Sequence, residues 1–184
     1  MDKEIPTVQI ETLSQPVSER DHRQGKLSAP ATLLMYGAYE CPHCVEANKT
    51  VKELQRELGE NLCFVFRHFP RTDVHPHAEA AAVVAETAGA QGKFWEMHEA
   101  LFVHYNRLDG DHLLAYAEEL GLDMDEFDSE ISKRLYFSRV REDLESGLKS
   151  GVTGTPTFFI NGFRHFGSYN EETLLEAIEN KIKI

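Results

Sequence analysis

The stretch Ala31-Thr-Leu-Leu-Met-Tyr-Gly-Ala-Tyr-Glu-Cys-Pro-His-Cys44 carries the argument for this chain. Ala31 to Gly37 is a short apolar run that stops at a glycine, the pattern of a buried central strand. From His43 a helical period takes over. Val51, Leu54 and Leu58 share one face, and Gly59 ends the pattern. Leu62-Cys-Phe-Val-Phe66 reads as a second strand, closed by Phe69-Pro70. Strand, helix and strand in so short a span predict a βαβ unit with parallel strands.

Two cysteines sit where the predicted strand gives way to the helix. A Cys at a helix N-terminus faces unpaired N–H groups and the positive end of the dipole, which favour the thiolate, the reacting form of sulfur. Pro42 suits the first turn, where its missing N–H costs nothing. His43 can add positive charge or a hydrogen-bond donor. Cys44, three residues on, returns to the same side of the helix, so the two sulfurs can close a small ring. Position assigns roles: Cys41, at an exposed helix tip, attacks, and Cys44, one turn inside, resolves. A zinc half-site is the competing reading. Structural zinc usually takes a second pair of ligands, and Cys63 stands alone in mid-strand. His75-Pro76-His77 is the other ligand-like cluster, and turn histidines are commonly just solvated. An inert disulfide is a further alternative, although so small a ring removes little chain entropy.

Outward from this unit, residues 1–29 are polar and broken by Pro6, Pro16 and Gly25, an extended arm with one short strand at Thr7–Ile10. Between about residues 73 and 150 no strand pattern occurs. Helices are expected over Pro76–Ala90, Lys93–Tyr105, Asp111–Leu120 (capped by Asp109 or Asp111), Met124–Ile131 and Tyr136–Lys149. Strands return at Thr157–Ile160 and Phe163–Phe166. The Asn161-Gly162 pair between them is a strong hairpin sign. Leu174, Leu175, Ile178 and Ile182 mark a last helix. A helical block set between strands reads as an insertion into an α/β domain. The boundaries expected are an arm over 1–26 and a domain over 27–184, with the insertion at about 73–150.

Composition narrows the function. The 184 residues are 41% hydrophobic and 27% charged, ordinary for a globular protein. A formal net charge of −12 argues against binding phosphate backbones or anionic membranes. The longest strictly apolar run is Ala80–Ala85, far short of the roughly 20 residues of a membrane span. The first residues lack a basic-then-apolar leader. A cytoplasmic address is expected, or a periplasmic one if a leader has been removed.

The chain resembles the DsbA-type thioredoxin-fold oxidoreductases. The resemblance rests on the strand before Cys41-Pro42-His43-Cys44, on Phe64-Val-Phe-Arg-His-Phe-Pro70, on Lys93-Phe-Trp-Glu-Met-His98, and on Gly151-Val-Thr-Gly-Thr-Pro-Thr-Phe-Phe-Ile-Asn-Gly162. It implies a thioredoxin fold, a central mixed sheet flanked by helices, with an inserted helical subdomain. It implies thiol–disulfide exchange with protein or peptide cysteines, without metal or organic cofactor, the Cys41–Cys44 disulfide being the redox group. It also implies that Pro156 is a cis-proline facing the dithiol and that Thr155 presents its backbone to an extended partner. An unidentified redox partner and a monomeric state are expected, with no role for nucleic acid or membrane insertion.

Two features depart from the family pattern. The buried acid expected six positions before the first Cys is Met35. Glu40 adjoins Cys41 at a position expected to be exposed, and a carboxylate beside a thiolate raises its pKa. The alternatives are a glutathione-dependent transferase or isomerase on the same fold, or a binding module that keeps the fold as a scaffold. Cys63 is expected as a buried small hydrophobe, and Phe94, Trp95 and Met97 as core. His98 and His104 do not share a helical face, and no metal site is read there.

Overall fold

A computed structural model describes residues 12–182; the expected strand Thr7–Ile10 lies outside them. Five strands form one sheet in the order β1-β3-β2-β4-β5. At its centre, β2 (Ala31–Gly37) and β3 (Leu62–His68) run parallel, joined by α1 (Pro42–Leu58) and a short 3₁₀ turn. On the other side of β2, β4 (Thr157–Ile160) pairs antiparallel, with Leu33 opposite Ile160 and Met35 opposite Phe158. β5 (Phe163–His165) completes the hairpin. Asn161 and Gly162 both take positive φ, 48° and 82°, as a tight two-residue hairpin turn requires.

β2 is a continuous apolar run because both faces of the sheet are covered. Leu33 and Met35 point to one side, with Phe64, Phe66 and Phe158, and meet α1 and α7 (Glu171–Ile182). Leu34 and Tyr36 point to the other, with Cys63, Val65 and Phe159. Cys63 is fully buried there, packed as a small hydrophobe.

The stretch between β3 and β4 holds α2 (Ala78–Ala90), α3 (Phe94–Val103), α4 (Gly110–Glu119), α5 (Met124–Ser132) and α6 (Phe137–Lys149). Nine residues of α2 are buried, six of them within Ala81–Glu86, so its alanines let neighbouring helices close in from several sides. Asp109, one of the two expected caps, accepts from the N–H of His112. Gly147 lies where α6 presses on the sheet; a Cβ there would come within 2.7 Å of the Phe69 ring.

One part of the arm belongs to the sheet. His22–Gln24, expected within an extended arm, form β1, antiparallel to β3. The segment is held by a buried ion pair. Arg67 on β3 donates to both oxygens of Asp21 at 2.8 and 3.0 Å, and to the carbonyls of Gln15 and Pro16.

Candidate active site

Cys41 is the N-cap of α1 and Pro42 its first residue. The amides of Cys44 and Val45 are turned to the Cys41 carbonyl, at 3.0 and 3.2 Å. The loop before β4 closes on the sulfur: Cys41 Sγ lies 3.6 Å from the Thr155 carbonyl oxygen, and the Thr155–Pro156 peptide bond is cis. Cys41, Cys44, Thr155 and Pro156 are therefore brought to one end of the sheet. The expectation of an exposed nucleophile needs correction. Cys41 is only 3% exposed, because the Thr155 loop lies over it, and Cys44 is fully buried. All three cysteines are free thiols.

The two thiols differ sharply in acidity. Hydrogen bonding from Cys44 is the largest influence on Cys41; burial opposes it. Hydrogen bonding at Thr155 and the charge of His75 add to the lowering, and the Cys41 thiol falls to about 5. Burial, with the neighbouring Cys41, pushes the Cys44 thiol well up. Met35 sits in the same buried cluster as both cysteines and brings a thioether where an acid would hold a proton.

His43 is exposed, and its Nδ1 lies 3.3 Å from the hydroxyl of Tyr169. The histidine whose charge lowers Cys41 is His75, from the cluster read as solvated turn. Glu40 also departs from expectation. It is mostly buried, its side chain 19% exposed, and both carboxylate oxygens are taken up by His77. No local signal could have found that pairing, since the partners are 37 residues apart. Beside Pro156 a cavity of about 200 Å³ opens, lined by Phe158, Arg164, Phe166 and Tyr169.

Deeper in, Asn48 lies one turn beyond Cys44 on α1. Its Oδ1 is 3.4 Å from His98 Nε2, and His98 Nδ1 is 3.0 Å from the Tyr39 hydroxyl. Burial pushes the His98 pKa well down. His104 lies elsewhere, stacked on Tyr116. Phe94 and Met97 are core, and Trp95 packs half-buried against Phe64.

Among the described residues, His68, Glu86 and Asp143 are the one group of three side chains close enough to hold a metal ion. Their polar atoms already serve one another. Glu86 Oε1 is 2.8 Å from His68 Nε2 and 2.8 Å from His22 Nε2. Asp143 accepts the His68 backbone N–H at 3.0 Å and faces Arg139 at 3.3 Å. Burial would push the Glu86 carboxyl up, but the hydrogen bonds to the two histidines outweigh it and hold it well below the carboxylate range. Cys41 and Cys44 belong to no such group.

Solved structures of the same architecture include BdbD from Bacillus subtilis in its oxidised form. It has a TM-score of 0.83 and 22% identity, covering 95% of this chain and 99% of that one. α-DsbA1 of Wolbachia pipientis is similar with a TM-score of 0.76 and 21% identity, over 90% and 92% of the two chains. Among curated sequences, a Na⁺/H⁺ antiporter NhaA 1 of Salinispora arenicola is 48% identical over 160 residues, which is 87% of this chain. An NhaA 1 of Mycobacterium sp. strain KMS is 42% identical over 173 residues, 91% of this chain. The chain spans only 24% and 28% of those two proteins. The family model described as Thioredoxin matches residues 17–180, from the segment before β1 into α7. With the sheet order, the Cys41–Cys44 turn and the Pro156 loop all inside that match, the chain belongs to the thioredoxin family.

Proposed function

We propose that this chain is a thiol–disulfide oxidoreductase acting on protein or peptide cysteines through Cys41 and Cys44. The Cys41 thiolate attacks one sulfur of a partner disulfide. A mixed disulfide forms and the partner's other sulfur leaves as a thiolate. Cys44 then loses its proton and attacks the Cys41 sulfur, closing the Cys41–Cys44 disulfide and expelling the partner as a dithiol. Run backwards, the same steps oxidise a partner. The observation that carries this reading is the placement of the two cysteines three residues apart at one helix tip with the Thr155 carbonyl 3.6 Å from Cys41 Sγ, surroundings that lower the Cys41 thiol to about 5 and raise Cys44. A stabilised thiolate is a good leaving group and favours the reduced form, so the couple leans toward oxidising a partner. Pro42 starts the helix that supports Cys41, and His43 stands at the exposed rim. Thr155 and Pro156 flank the sulfur, where an extended partner would lie along the loop. No cofactor enters these steps, and one copy of the chain suffices for them.

The test is a titration of the reduced protein in glutathione buffers, read by Trp95 fluorescence and by alkylation of free thiols. A reversible two-electron couple that Cys41→Ser abolishes is expected. Absence of any such couple overturns the reading and turns attention to the binding-module alternative. A second reading has its own support in the antiporter relatives. In it the domain's partner is a membrane transporter, reached by exchange or by binding. Capture of an antiporter by Cys44→Ser, as a mixed disulfide released by reductant, would separate exchange from simple binding.

A further inference from the structure

The acidic residue next to Cys41 is the least expected feature of the site. A free carboxylate there would oppose the thiolate. The fold deals with it through the segment between β3 and α2. Glu40 Oε2 accepts the His77 backbone N–H at 2.8 Å, and Glu40 Oε1 lies 2.7 Å from His77 Nδ1. His77 is the N-cap of α2, so the carboxylate also sits at the positive end of a 13-residue helix. The other end of the segment is tied to the opposite wall of the site. Arg71 donates to the Thr153 carbonyl at 2.9 Å, two residues before Thr155, and its fork is held by Asp73 at 2.8 and 2.6 Å. The amide of His75 is turned inward to the Arg71 carbonyl at 2.7 Å, closing the turn that carries the His75 ring.

We propose that residues 71–77 form a clasp across the dithiol site, in which His77 is a positioning residue that engages the Glu40 carboxylate and so preserves the Cys41 thiolate. The inference rests on the reading of Cys41 as the reacting thiol. The groups that act on that sulfur are Cys44 on α1, Thr155 on the opposite loop and His75 in the clasp, with the Tyr169 hydroxyl close enough to feel its charge. Glu40, next to Cys41 in the chain, is the acid that the clasp engages.

The experiment measures iodoacetamide alkylation of Cys41 in the reduced full chain against pH, with the labelled peptide identified by mass. His77→Ala leaves the Glu40 charge and removes the ring that engages it. The rate at pH 5 is expected to fall about fivefold, the size of effect a nearby like charge produces. His77→Asn, whose amide can stand where Nδ1 stands, is expected to retain the wild-type profile. Glu40→Gln is expected to change the rate less than about twofold, and to abolish the effect of His77→Ala when the two are combined. A purely structural role would give the same loss with or without the Glu40 charge, and that result overturns the proposal, as does an unchanged profile in His77→Ala. If His77→Ala fails to fold, Glu40→Asp decides. It keeps the charge but withdraws it from His77 by one methylene, so a loss in Glu40→Asp without one in Glu40→Gln supports the clasp. Equal behaviour of those two variants refutes it. Alkylation needs no redox partner, so this result stands apart from the glutathione titration that tests the exchange reading.

Discussion

At the scale of single residues, the site is a contrast between neighbours. Cys41 and Cys44 share a helix end, yet one is lowered to about 5 and the other raised. Alkylation of Cys41 should therefore be nearly independent of pH above 6 and drop about tenfold between pH 7 and pH 4, as its thiolate fraction falls. Cys44 and Cys63, both fully buried, should stay unlabelled in the native protein, which peptide mass analysis can check. A profile centred near the ordinary thiol value would contradict the geometry around Sγ. Much of this was readable in advance, because a Cys-x-x-Cys pair before a helical period is a local pattern. Cys41's near-complete burial was not readable. The resemblance sets the Thr155–Pro156 loop opposite the dithiol, but that loop arrives more than a hundred residues later, and no local signal reports how closely it closes over the sulfur.

At the scale of elements, legibility follows length and periodicity. β2, α1 and β3 each carry an unbroken pattern, and the Asn161-Gly162 turn is a two-residue signal of its own. β1 has neither. It is three polar residues, His22-Arg23-Gln24, at a sheet edge with one neighbour, and its place is set by contacts outside it. One is the Asp21–Arg67 pair, both side chains under 5% exposed. Burial would lower the Arg67 pKa, and Asp21 more than offsets that, raising it. Asp21→Ala would leave a guanidinium buried without its counter-ion, at a cost of about 3–5 kcal/mol. Urea unfolding should show that loss, and native-state hydrogen exchange should place the largest loss of protection on β1 and the segment before it. A cost below about 1 kcal/mol, the range of an exposed pair, would mean that the pair does not anchor the strand.

For the whole molecule, the ionisation of one sulfur becomes a property of folding. Cys41 has a depressed pKa in the folded reduced chain and an ordinary one when unfolded. Its contribution to stability is thus complete above the unfolded value, near 8.5, and disappears as pH falls through about 5. Between those limits, the urea midpoint of the reduced protein should rise with pH relative to that of reduced Cys41→Ser. Titrating groups that do not interact with Cys41 act on both proteins and cancel in the difference, while Cys44 and Tyr169, which do, are raised in the folded chain and stay protonated across this window. A difference flat across that window would show that the thiolate gains nothing from the fold. The sealed position of Cys44 bears on time instead of energy. In the proposed cycle a partner bound to Cys41 leaves when Cys44 ionises, and burial makes that ionisation infrequent. The dwell of a captured partner is then timed from inside this protein: a slow clock in acid that quickens toward alkaline pH, whatever the partner's own shape or charge.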